Sequence, residues 1–487
     1  MDTKSDQEAT EGIPGSRKPS TTLPRLLISA AHKSSGKTTV TLGLTVALRH
    51  RGLQLQTFKK GPDYIDPLWL SLASERYCRN LDFYMMRPDE IGTTVASHAN
   101  RADLALIEGN KGLYDGLDLD GSSSNAALAI LLHTPVVLVI DARGMTRGVA
   151  PLILGYQQFE PRIRIGGIIL NQLGGARHEQ KLRAVIEHYT DVPVLGAVHH
   201  DPNIGLKERH LGLVPGNEIE SAALRIAEIG AEISRQVDLD QVLAVAKSAP
   251  PLPFEATVGA VTGAQSDIRI GIAHDASFGF YYPDDLEALR MAGATLVLFD
   301  TMNDTRLPVV DALFIGGGFP EAHMTELERN VSMRRSIRAA IEAGLPVYAE
   351  CGGLMYLARN LSWQGRRAEM VGIIPADIVM HDRPVGRGYV RLKETGASPW
   401  PSVGEVQDIR AHEFHYSSVE NLPRDTCFAY EVLRGHGVDG KHDGIVYKNV
   451  LASYTHLRDV AANHWADRFV RYVRNKRKQQ QYVLGAS

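Results

Sequence analysis

The sequence holds little cysteine, no long apolar run and almost no net charge. Three cysteines, Cys78, Cys351 and Cys427, are too few and too scattered for a disulfide framework or a Cys-x-x-Cys metal site, so a reducing cytoplasm is the expected compartment. No stretch reaches the ~18 consecutive apolar residues of a membrane-spanning helix. The opening MDTKSDQEATEGIPGSRKPSTT lacks the apolar core of a secretory signal, and residues 1–22 read as a disordered leader. A net charge of −3 gives no overall pull toward nucleic acid or an anionic membrane, and neither is an expected partner. No self-similarity is found at solenoid periods.

What the chain does have is 487 residues with 44% hydrophobic and 22% charged content, an ordinary globular balance with room for several domains. Apolar strand-like runs at 25–29, 104–108, 136–141 and 165–171 alternate with segments of helical spacing. That pattern predicts βαβ units and a mostly parallel sheet over 23–236. Between 237 and 266 the composition turns to Pro, Ala, Gly and Ser, as in an interdomain linker. A second α/β series, 267–472, begins with IRIGIAHD and continues through ATLVLFD, DALFIGGGF and LPVYAECGG. The basic end of the chain, 473–487, reads as a solvated helix end.

Between the first apolar run and the helical VTLGLTVALRHRG stands SAAHKSSGKTT, residues 29–39. Gly36, Lys37 and Thr38 after a strand and before a helix have the context of a phosphate loop. Backbone N–H groups of Ser35, Gly36 and Thr39 and the helix N-terminus would face the phosphates of ATP. Lys37 would lie on the β and γ oxygens and Thr38 on Mg²⁺. Ala31 occupies the place of the usual first glycine. FKKGPDYIDP (58–67) carries Asp63 and Asp66, and LALIEGNKGLYDG (104–116) carries Glu108 and Asp115; carboxylates after strands beside such a loop suit Mg²⁺. Asn171 ends a strand, where a side chain reads a base or simply makes a turn; both readings stand.

In the second series, PVYAECGGLMYL places Cys351 between an apolar run and a helical pattern. A thiol on such an elbow is exposed and acidified by the helix dipole, and the neighbouring glycines let backbone N–H groups approach an oxyanion. FIGGGFPE supplies a second glycine loop. The base for this thiol is expected at His456, which follows the strand-like run 446–454; His412 and His415 are its rivals. Cys78 and Cys427 lack this context and read as structural.

A phosphate loop and an activated cysteine in one chain are the two halves of a glutamine amidotransferase. SSGKTT, FKKGPDYIDP, NLDFYMM, EGNKGLYDG, ERHLGLVP, FYYPDDLEAL, GGGFPE, ECGGLMYL, HEFHYS and ASYTHL resemble, in that order, the cobyrinic acid a,c-diamide synthase family, from about 26 to about 470. The resemblance implies a dethiobiotin-synthetase-like ATPase domain joined to a class I glutaminase-like domain. It implies ATP and Mg²⁺ as cofactors, and glutamine and a tetrapyrrole as small-molecule partners. It assigns Asp63 and Glu108, with Thr38, to the metal, and Asp66, Asp115 and Lys111 to the acceptor carboxylate and its acyl-phosphate. Cys351 becomes the nucleophile, His456 the base, and Gly317, Gly318 and Gly352 the oxyanion hole. The dethiobiotin synthetase likeness also admits a homodimer. One departure stands out: a class I triad carries Glu two residues after its His, and this chain has Arg458 there, leaving the third triad member unassigned. The polar 109–125 loop keeps a sister activity on siroheme or sirohydrochlorin open. A non-catalytic P-loop switch ATPase with a decayed glutaminase module is the remaining alternative.

Overall fold

The computed structural model describes residues 22–201, 208–209, 212–213, 222–256, 266–401 and 408–485. All but the last residue of the leader, and half of ERHLGLVP, lie outside the described residues.

The first unit is a parallel sheet of β1 (Arg25–Ala30), β2 (Leu55–Lys60), β3 (Arg79–Leu81), β4 (Leu104–Glu108), β5 (Val136–Asp141), β6 (Ile165–Leu173) and β7 (Val194–His199), in the order β3-β2-β4-β1-β5-β6-β7. Its central strands bury both faces. Leu27, Ile107 and Leu138 point to one core, Leu26, Ile28 and Val139 to the other, which is why the sequence reads as continuous apolar runs. From β1 the chain crosses outward to β2, while β4 leads across to β5. The loops after β1 and β4 therefore meet at a topological switch point, where such sheets bind ligands.

The second unit is built on a nine-stranded mixed sheet: β8 (Ile268–Ala273), β9 (Ala294–Phe299), β10 (Ala312–Ile315), β11 (Val347–Glu350), β12 (Gly386–Glu394), β13 (Ile409–His415), β14 (Cys427–Arg434), β15 (His442–Tyr447) and β16 (Val450–Ser453). The order is β9-β8-β10-β11-β16-β15-β14-β12-β13, parallel from β9 to β16 and antiparallel beyond. The strand-like run expected over 446–454 is two strands of a hairpin. Lys448 turns it at φ 52, a conformation that apolar periodicity does not signal. Because β16 lies beside β11, the chain after β16 is delivered next to the end of β11.

Two stretches differ from their compositional reading. The residues expected to start a linker form helix Leu239–Lys247, capped by Asp238 and packed on the core of Leu26, Ile28 and Val139 through Leu239, Val242 and Ala246. The Pro/Gly-rich character begins only after it. The basic end belongs to helix Trp465–Gly485: Val473 is buried, and Arg474 pairs with Asp267. Val460, from the second unit, packs into the first unit's core, so the two units meet face to face.

Candidate active site

The phosphate loop runs from β1 into helix α1 (Lys37–His50). Gly36 sits at φ 85, and a Cβ there would lie 2.1 Å from the Asn171 amide nitrogen. Only glycine fits that approach. Asn171 is not free to read a base with that nitrogen, because it donates to Ser35 O at 2.9 Å. With it the residue braces the loop, which its position at the end of β6 allows and its sequence context does not reveal. Ser35 Oγ closes the turn onto His32 O at 2.9 Å, and Thr39 lies in the first turn of α1.

Two strands and the first turns of two helices bring Lys59, Glu108, Thr38 and Asp66 together. The Lys59 ammonium contacts Asp66 Oδ2 at 2.5 Å and Glu108 Oε1 at 2.8 Å. Thr38 Oγ1 donates to the same Glu108 oxygen at 2.7 Å and faces Asp66 at 3.4 Å. Burial works against the Lys59 charge, but Asp66 and Glu108 outweigh it and keep the ammonium charged. Lys37 is pulled the other way, to about 8, by burial and by Lys59. Asp63 spends Oδ1 on the backbone N–H groups of Ile65 and Asp66, capping helix α2 (Ile65–Ser74). Burial and the Asp66 charge push its pKa up to about 7. Asp115 accepts from Gly112 N at 2.9 Å and shapes the loop after β4, where Lys111 is exposed at φ 41.

The fit of this cluster to a hard cation rests on Glu108. Its Oε2 is fully buried and has no partner, while its other oxygen is shared by Lys59 and Thr38. A buried carboxylate oxygen left alone is costly, and a spare carboxylate oxygen on a group whose other oxygen already meets the Thr38 hydroxyl suits Mg²⁺.

In the second unit β11 ends at Glu350, and Cys351 turns the chain into helix Gly352–Leu357 at φ 47, ψ −101. The Cys351 amide is held by Ser453 O at 2.7 Å, which pins the elbow to β16. Gly352 opens the helix, so its N–H has no helical acceptor. A Cβ on Gly352 would meet Gly318 N at 3.0 Å, and a Cβ on Gly317 would meet His456 Cε1 at 2.6 Å. Gly318 therefore lies against Gly352 at the start of the helix that follows Cys351, and Gly317 lies against the His456 imidazole.

His456 arrives two residues after Tyr454, past the end of β16. Its Nδ1 lies 3.2 Å from Glu350 Oε2, both side chains being buried. Glu350 Oε1 is fixed by the Tyr348 hydroxyl at 2.5 Å and by Leu457 N–H at 2.9 Å. Burial pulls the imidazole pKa down, but hydrogen bonds to Cys351 and Glu350 prevail and push it up to about 10. Glu350 thus occupies the orienting place that was left unassigned. Sequence adjacency hid it, since neighbouring strand residues face opposite sides and a carboxylate next to its own nucleophile is not a familiar spacing. The rivals make other contacts. His412 pairs with His456 through backbone bonds and is held neutral, its pKa pushed down to about 3 by burial and His456. His415 stacks on Tyr454 at 3.7 Å with Nδ1 on Ser417 O.

Glu350→Gln keeps the shape and removes the charge. It is expected to slow glutamate release about 10- to 100-fold and to move the alkaline limb of the glutaminase pH profile down by about one to two units. A pH-rate series on both proteins reads this. The sign follows from the raised imidazole: its stabilising contribution is complete below the ordinary 6.5 and disappears as pH rises through about 10.

Comparison with known proteins adds two family matches and three relatives. Residues 27–213 match the CobQ/CobB/MinD/ParA nucleotide binding domain, and residues 269–463 match the CobB/CobQ-like glutamine amidotransferase domain. A cobyrinate a,c-diamide synthase of Magnetococcus marinus is 48% identical over 93% of this chain and 98% of that protein. Proteins of the same name from Methanosarcina acetivorans and Archaeoglobus fulgidus are 43% and 39% identical, over 92% and 93% of this chain and 95% and 98% of their own lengths.

Proposed function

The chain belongs to the cobyrinate a,c-diamide synthase family of glutamine amidotransferases, and from that premise we propose that it amidates two peripheral acetate carboxylates of cobyrinic acid, using ATP to activate each and glutamine as the nitrogen source. The observation that carries the reading is the pairing of a phosphate loop backed by Lys59, Asp66 and Glu108 with a Cys351–His456–Glu350 set across one interface.

In the ATP half, the acceptor acetate attacks the γ-phosphorus and ADP leaves, giving an acyl-phosphate. Lys37 and the N-terminus of α1 stabilise charge on the transferred phosphoryl group. Thr38, Glu108 and Asp66 would hold Mg²⁺, whose charge would offset that of the phosphates. Asp63, with one oxygen on the N–H groups of Ile65 and Asp66, fixes the backbone that carries Asp66. Asp115 and Lys111 lie on the loop that would face the acceptor.

In the glutaminase half, the Cys351 thiolate attacks the glutamine side-chain carbonyl while the N–H of Gly352 and the Gly317–Gly318 loop meet the oxyanion. His456, held by Glu350, gives its proton to the departing ammonia and then takes one from the water that cleaves the thioester. Ammonia crosses the interface and displaces phosphate, forming the amide.

Mass spectrometry of cobyrinic acid, sirohydrochlorin and siroheme after incubation with protein, ATP, Mg²⁺ and glutamine tests this. Two losses of about one mass unit on cobyrinic acid, OH replaced by NH₂, are expected. The shift on siroheme or sirohydrochlorin alone would transfer the activity to those acceptors. No shift on any, with glutaminase intact, would overturn the acceptor class. A decayed glutaminase module is disfavoured by the complete Cys351–His456–Glu350 geometry.

A further inference from the structure

Neither Tyr64 nor Arg458 has a part in the chemistry above, yet both lie where the two halves touch. Tyr64 stands between Asp63 and Asp66 on the acidic loop of the ATP half, but its ring faces the other half. It lies 4.9 Å from the His456 ring and 4.6 Å from Tyr282, and stacks on Phe280 at 5.4 Å and 10°. Its hydroxyl is buried. The same backbone that aims Asp66 at Lys59 and Thr38 therefore presses a ring on the glutaminase base.

A second link runs through Arg458, which is 1% exposed. Its Nη2 donates to Asn80 O at 2.6 Å and to Asp284 Oδ2 at 3.0 Å, and its guanidinium lies 5.1 Å from the Tyr282 ring. Asn80 in turn donates its side-chain amide to Gly61 O at 2.8 Å and Asp63 O at 2.7 Å. Asn80, itself held by Arg458, thus ties the loop at Gly61 and Asp63, and the Tyr64 ring ties it against His456. Between those points Leu457 N–H is fixed on Glu350. Three consecutive residues, 456–458, carry the base, its tie to Glu350 and the grip on the acidic loop.

We propose that Tyr64 and Arg458 are positioning residues that couple glutamine hydrolysis to the acidic loop, so that His456 is correctly set against Cys351 only when the loop of residues 61–66 is held by its ligands. The physical basis is small displacement: a shift of about 1 Å at a reacting pair costs on the order of a hundredfold in rate, and loop and base here share rigid contacts. The inference rests on the division of labour in the proposed function.

The test measures glutamate release and amide formation by the full chain with cobyrinic acid, ATP and Mg²⁺, first with glutamine and then with ammonium chloride. Tyr64→Ala and Arg458→Met are expected to lower the ratio of glutamine-driven to ammonium-driven amidation by about fivefold or more, with ammonium-driven amidation within about twofold of wild type. Tyr64→Phe keeps the ring and the wild-type ratio. Arg458→Met leaves Asp284 paired with Arg79. An unchanged ratio in both Tyr64→Ala and Arg458→Met overturns the proposal. So does a fall in ammonium-driven amidation in step with the glutamine-driven rate, which would mark mere support of the ATP site. If wild type forms no amide from cobyrinic acid with either nitrogen source, the acceptor assignment fails on its own. Stimulation of glutamate release by Mg-ATP then decides coupling: its loss in Tyr64→Ala and Arg458→Met with retention in Tyr64→Phe supports it, and retention in all three overturns it.

Discussion

Cys351→Ser is expected to abolish glutamine-driven amidation, by about 10⁴-fold or more, while amidation from ammonium chloride continues at the wild-type rate. The elbow is fixed by backbone, with the Cys351 amide on Ser453 O and the residue at φ 47, so the smaller serine is accommodated without unfolding it. What changes is the nucleophile. A thiol is easily made thiolate beside an imidazolium, whereas a hydroxyl is far weaker as an acid and leaves far less readily from the acyl intermediate. The His456 pKa of about 10 favours the charged imidazolium partner that a thiolate needs, and offers a serine no equivalent. The ATP cluster lies in the other unit and shares no contact with Cys351 Sγ, which faces Phe414 O at 3.9 Å. Parallel assays with the two nitrogen sources decide the matter. Loss of the ammonium-driven rate as well would mean that the halves do not divide the chemistry as proposed.

Much of this arrangement was legible in the residues, and the illegible parts share a cause. The run 104–108 forms the strand Leu104–Glu108, with Glu108 at its end as expected, because a doubly buried parallel strand has to be apolar throughout. Lys37 and Thr38 stand at the start of α1, and Cys351 at a strand-to-helix elbow, since local chain direction fixes both. Readings that depended on contacts between distant segments fell short. Glu350 was beside Cys351 all along, but its bond to His456 exists only because β11 and β16 are neighbours. Arg458, conspicuous as the wrong residue for a triad, contacts a carbonyl 378 positions away, and no local pattern encodes that. Asn171 donates to Ser35 O across 136 positions, a brace that its local context does not encode either. The hairpin at Lys448 was missed because its turn uses a left-handed lysine in place of glycine.

Lys37→Met is expected to lower amidation from both nitrogen sources by about 10³-fold or more, to leave basal glutaminase intact, and to make the protein more stable. The loss follows from position: Lys37 opens α1 directly after Gly36 and is the loop's own charge for the β and γ phosphates. Lys59 is no substitute, since its ammonium is committed to Asp66 and Glu108. The gain in stability comes from the same burial. Water is largely excluded from Lys37 and Lys59 repels it, so its pKa falls from 10.5 to about 8. A lysine with a depressed folded pKa is penalised in full wherever both states are protonated, below about pH 8. The penalty fades as pH rises toward 10.5, above which neither state carries the charge. Methionine keeps the stem and removes the charge. In protein free of metal and nucleotide, the melting temperature of the variant should exceed that of wild type at pH 7 by roughly 2–4 °C for each kcal/mol regained, and the two should converge near pH 10.5. Calorimetry at the two pH values, with the two amidation assays, separates the outcomes. A variant both inactive and less stable at pH 7 would show that Lys37 is held by Glu108, Asp66 and Asp115 more strongly than burial opposes it. An active variant would show that the phosphates are held by other groups. The combination expected here, activity lost and stability gained, marks a buried cation kept at a cost to the empty fold for the anion it binds.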